Sequence, residues 1–156
     1  MNWTQVLNDP TLNNLPYKIE TNERGQIVMS PVSKKHSFFQ ARIAELLKEH
    51  MRGGFALPEA PVQTSKGVRV PDICWTTEDH FHSEPDELFT RAPMICVEVW
   101  SPSNSLAEFK TKTKLYLQAG ALEVWTCSSE GNMRFFDATG ELENSKLVPD
   151  FPLEII

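Results

Sequence analysis

At 156 residues, 40% hydrophobic and 23% charged, the chain suits one globular domain over 1–156 with a core of its own. The net charge of −6 argues against a protein living by non-specific phosphate contacts, but it leaves room for a nuclease whose metal-binding carboxylates add negative charge. No apolar run approaches the roughly 18 residues of a membrane span, and the opening MNWTQVLNDP has neither the basic nor the apolar region of a signal peptide.

In chain order, WTQVLNDPTLNNLP reads as a short helix and a turn held by Pro10 and Pro16. YKIET and QIVMS, joined by NERG with Gly25, read as a hairpin. The clearest helix follows: Ser33 can cap it, Phe39, Ile43, Leu46 and Leu47 repeat on one face, and Gly53-Gly54 stop it. PVQTS and VRVPDICWTT are expected as two strands around Lys66-Gly67, and EDHFHSEPDELFTR as a polar loop whose His80 and His82 are solvated. A buried strand from Met94 to Trp100 precedes a helix over about Leu106–Ala119, with Ser105 as its cap. LEVWTC, MRFFDA and a last run near LEII complete a meander. The order predicts a mixed α/β (α+β) domain with one central sheet flanked by helices. Cys74, Cys96 and Cys127 are isolated, without CxxC spacing, and read as reduced core thiols of a cytoplasmic protein.

Three acids stand at strand-like positions: Glu20 in PYKIE, Asp72 in VRVPDICW and Glu98 in MICVEVWSPSNS. Alternation puts Asp72 on the face of Val70 and Cys74, and Glu98 on that of Cys96 and Trp100. One such acid can be a structural ion pair or an edge residue. Three held together repel one another, and burial raises their pKa values. A divalent cation removes both problems, and oxygen ligands suit Mg²⁺ or Mn²⁺ rather than zinc.

A post-proline acid followed by an acid in the next apolar strand resembles the PD-(D/E)XK nuclease superfamily. With PYKIETNERGQIVMSP, the His36 and Gln40 pair, VPDICW, MICVEVWSPSNS and KLYLQAGALEVW, the chain is similar, from about Leu12 to Pro152, to the Uma-two-like family of restriction endonucleases. The resemblance implies a restriction-endonuclease-like core, Mg²⁺ held by Asp72 and Glu98, and Glu20 as an auxiliary acid. The backbone carbonyl of Val99 is a further candidate oxygen ligand. His36 and Gln40, one helical turn apart, are candidates to line the site, with a structural role for the histidine equally open.

The sequence departs from E-x-K: two residues after Glu98 stands Trp100. Lys112 borders the core side of its helix, three residues after Phe109 and four before Tyr116, the latter expected as a core residue. Spacing alone pairs it with Glu108 on a wet surface, worth a few tenths of a kcal/mol. The resemblance instead implies a migrated catalytic lysine. Lys110 and Lys114 beside it are solvated or meet phosphates. Phosphodiester hydrolysis would follow, with Asp72 and Glu98 holding one ion or two and Lys112 orienting the water. DNA is the expected substrate and a homodimer the expected assembly, since cutting both strands favours a two-fold pair of sites. A retired nuclease scaffold acting as a binding module, and a metal hydrolase of another substrate, are the competing readings.

Overall fold

The protein is described by a computed structural model over residues 1–101 and 104–156. Pro102 and Ser103 of the SPSNS segment lie outside the described residues.

Asn2 caps α1 (Trp3–Asn8) reciprocally: its side chain accepts from the Gln5 N–H, and the Gln5 side chain accepts from the Asn2 N–H, both at 2.9 Å. Trp3 and Val6 of this helix pack with Val68 and Val70 in a small cluster. A single 3₁₀ turn, Pro10–Leu12, leads into the hairpin β1 (Tyr17–Thr21) and β2 (Ile27–Pro31). In α2 (Lys34–His50) the Ser33 side chain accepts from the His36 N–H at 3.0 Å, and Phe39, Ile43, Leu46 and Leu47 are buried as their spacing requires.

Next come β3 (Gly54–Pro58), β4 (Val62–Thr64), β5 (Gly67–Arg69), β6 (Ile73–Thr77), α3 (Glu78–Ser83), β7 (Ile95–Val99), α4 (Leu106–Gln118), β8 (Glu123–Cys127), β9 (Met133–Asp137) and β10 (Gly140–Leu142). Six strands form the central sheet in the order β10-β9-β8-β7-β6-β3. Within this sheet β7 and β8 run parallel, and α4 is the crossover that a parallel pair demands. Both inner strands are buried along their whole length, as sandwiched strands must be. The larger core lies on one side, where α2 contributes Phe39, Ile43, Leu46 and Leu47. A smaller one, built around Cys96, Val124 and Tyr116, lies on the α4 side.

The structure differs from the expected layout at four places. The hairpins β1–β2 and β4–β5 form two-stranded sheets of their own rather than joining the central one. VRVPDICWTT splits into β5 and β6, with Val70-Pro71-Asp72 between them, because Pro71 has no N–H for a ladder. The polar segment after β6 starts as helix α3, whose N-cap Thr77 accepts from the His80 N–H at 3.1 Å. His80 is not solvated, since its ring meets Glu84 Oε1 at 3.0 Å and packs on Phe89. Finally, the LEII run makes only an isolated bridge, Asn132 to Glu154.

Candidate active site

The β6–β7 register pairs Ile73 with Val97, so Asp72, one step before β6, comes level with Glu98. The Val99 N–H donates to Asp72 Oδ2 at 2.8 Å and locks the two together. Glu20 arrives from the β1 hairpin, its Oε2 accepting from the Val70 N–H at 2.6 Å. All three acids are at most 4% exposed. Carboxylates so deeply buried require compensation.

Two lysines provide it. Lys18 Nζ lies 2.9 Å from Asp72 Oδ1 and 3.3 Å from Glu98 Oε2. Lys112 Nζ lies 2.9 Å from Glu20 Oε2 and 3.3 Å from Glu98 Oε1. The Tyr116 hydroxyl donates to the same Glu98 oxygen at 2.8 Å. Lys112 is thus no surface partner of Glu108; its side chain is 15% exposed, and Glu108 accepts from Asn104 instead, at 3.1 Å. Trp100, in the lysine position of E-x-K, stacks flat on Phe109 with centroids 4.1 Å apart.

His36 Nε2 faces Asp72 Oδ2 at 3.3 Å, and its buried Nδ1 has no hydrogen-bond partner among the described residues. Gln40 reaches the same residue differently, donating to the Asp72 backbone carbonyl at 2.8 Å. Both residues therefore hold Asp72 from α2.

The electrostatics divide the acids. Burial pushes the Asp72 carboxyl up, but Lys18, His36 and the Val99 N–H outweigh it and hold it well below the usual carboxylate range. Burial likewise works upward on Glu20, and Lys112, Lys18 and the Val70 N–H bring it below its ordinary value. For Glu98 burial prevails: the two lysines pull down, Asp72 and Glu20 push up, and the carboxyl ends raised. Burial would lower Lys18, yet Glu98, Asp72 and Glu20 together raise it well above an ordinary lysine.

The donor set, carboxylate oxygens from three elements, has the chemistry that Mg²⁺ or Mn²⁺ takes. As arranged, however, the described residues include no group of three or more His, Cys, Asp or Glu side chains spaced to hold an ion. The lysines stand between the acids. The pocket whose lining includes Lys18, His36, Asp72, Glu98 and Lys112 has a volume of only 20 Å³. A cleft of 510 Å³ between β2 and α4, with Arg69 and Asn104 in its wall, opens onto Glu20 and Lys112. A roomier cleft of 590 Å³ on the other side of α4, lined by Trp100, Phe109, Lys110 and Lys114, holds none of these acids.

Residues 9–146 match the profile of the Uma2 family, described as "Putative restriction endonuclease". The chain belongs to the Uma2 family. The fold of this Uma2 protein is similar to that of a crystal structure described as a "putative nuclease belonging to DUF820" from Anabaena variabilis. The TM-score is 0.71 at 20% identity, covering 88% of this chain and 79% of that one. No curated protein matches the Uma2 chain. Family and fold together support a nuclease.

Two members of the Uma2 cluster escaped the sequence reading, and both had a signal. Lys18 is two residues before Glu20, so strand alternation puts it on the same face. Tyr116 is four residues after Lys112, on the same side of α4.

Proposed function

We propose that this Uma2 protein is a divalent-metal-dependent endonuclease that hydrolyses phosphodiester bonds, with DNA as its substrate. The observation that carries the reading is the convergence of Asp72 and Glu98 on one cation, with Lys112 reaching the same carboxylate from a different element.

Asp72, Glu98 and Glu20 would hold Mg²⁺ or Mn²⁺, with the Val99 carbonyl as a further oxygen donor. Such an ion supplies Lewis acidity toward the phosphate and a more acidic water. Lys112, at the inner end of the open cleft, orients the attacking water and offsets the negative charge that grows on the phosphorus oxygens. Tyr116 fixes the Glu98 carboxylate through Oε1, while Oε2 faces Lys18. His36 and Gln40 keep Asp72 in register from α2, and Arg69 in the cleft wall can meet a flanking phosphate. Two copies related by a two-fold axis would cut both strands of a duplex. Three free, buried thiols support the cytoplasm as the compartment.

A second reading, a retired scaffold that only binds, draws on the lysine pairing of all three acids and on Trp100 in the E-x-K position. Incubation with single-stranded, double-stranded and supercoiled DNA and with RNA, in Mg²⁺, Mn²⁺ or chelator, separates the two. Cleavage that requires the metal and prefers DNA is expected. Intact nucleic acid under every condition would leave the retired scaffold standing.

A further inference from the structure

Lys18 takes no part in the chemistry described above, yet it is the most deeply enclosed charge-bearing amine of the cluster, 7% exposed between two carboxylates. Its ammonium bridges one oxygen of Asp72 and one of Glu98, the two groups that a divalent ion would share. We propose that Lys18 is a resident counter-ion occupying the cation position between Asp72 and Glu98, and that divalent metal enters this site only by displacing its ammonium. The inference rests on the metal-dependent reading of the site.

Space and charge lead to the same result. The pocket volume of 20 Å³ at Lys18 is about what a single water requires. An ion with ligands on all sides does not fit next to the ammonium. Three carboxylates against two lysines leave the cluster of Glu20, Asp72, Glu98, Lys18 and Lys112 with one net negative charge. A divalent ion added with Lys18 in place would reverse that to a net positive charge in a buried site. Exchanging the ammonium for the ion instead brings the cluster to neutrality, the cheapest state for buried charges. Lysine suits such a role better than arginine. It is a compact point charge on a flexible stem that can swing aside, whereas a guanidinium would clamp both carboxylates in a fixed fork. Lys112 differs because it bridges Glu20 and Glu98 from the side of the open cleft. The consequence is a protein that stays folded without metal and binds metal in competition with its own side chain.

The test is Mn²⁺ binding to the purified chain without nucleic acid, followed by calorimetry and by the shift in melting temperature, for wild type, Lys18→Met and Lys18→Arg. Lys18→Met should bind Mn²⁺ at least tenfold more tightly than wild type. Its metal-free form should melt lower, with saturating Mn²⁺ recovering the loss. Lys18→Arg should bind at least tenfold more weakly. If Lys18→Met does not fold without metal, Lys18→Arg, which keeps the charge, gives the same decision. Wild type and both variants binding equally would overturn the displacement idea and leave the metal-dependent reading intact. No Mn²⁺ binding by any of the three would overturn that reading, and the displacement idea with it.

Discussion

Lys112 and Asp72 show how much a buried charge depends on its partners. With Glu20 at 2.9 Å and Glu98 at 3.3 Å, the Lys112 ammonium neutralises acids that have little water around them. Lys112→Ala should therefore cost about 3 kcal/mol, near the low end for a buried pair broken on one side, because the side chain retains 15% exposure. Denaturant melts would show it. Cleavage should fall about 10²–10³-fold, as for removal of one positioned donor, while Mn²⁺ binding persists, since an ammonium is no ligand for a hard cation. A change within about 0.5 kcal/mol and full activity would mark Lys112 as a surface residue. Repulsion among crowded acids, taken alone, would make the metal-free protein more stable when one of them is neutralised. The structure gives Asp72 three charged or polar partners, Lys18, His36 and the Val99 N–H, so Asp72→Asn should lower the melting temperature.

At the scale of elements, helices and inner strands were the legible part of the sequence. The caps Ser33 and Ser105, the apolar repeat of α2 and the continuous apolar runs of β7 and β8 each state their structure locally. What was illegible came from contacts between distant segments. In β1 the charged Lys18 and Glu20 are buried, with Thr21, while Tyr17 is exposed, an inversion of the usual strand pattern that the partners across the site explain. Of the site, the acids could be found because a charge is conspicuous in an apolar run, whereas Lys112 was singled out by the family resemblance, its spacing alone pointing to a surface pair with Glu108. Lys18 carried only the weaker signal of its alternation with Glu20, because a lysine in a hairpin looks solvated until the opposing acids are in place. The β4–β5 turn shows a related dependence. Gly67 has φ +90°, and a Cβ there would lie 2.4 Å from the Thr21 carbonyl oxygen of β1. Its lack of a side chain lets β5 approach the hairpin that carries Glu20, and Val70, just beyond, holds that acid. Gly67→Ala should cost at least about 1–3 kcal/mol in backbone strain and reduce cleavage by displacing Glu20. An equally stable, equally active variant would separate the two hairpins energetically.

The whole molecule joins these levels. A net charge of −6 does not attract nucleic acid at long range, so the affinity that the proposed function requires would come from local positive groups and a cation bound at the site. The parallel β7–β8 pair forces α4 to cross over the sheet, and that crossover carries Lys112 and Tyr116 to Glu98. Topology thus brings a lysine to Glu98 from a helix, whereas E-x-K would place one on the strand. As proposed, Asp72 and Glu98 form a cation site for phosphodiester hydrolysis. The most direct test of this is the rate at which wild type and Asp72→Asn nick supercoiled plasmid in Mn²⁺, compared at a temperature where both are folded. Losing several kcal/mol of transition-state stabilisation predicts a drop of roughly a hundredfold or more in the variant. Equal nicking by the two proteins would contradict it.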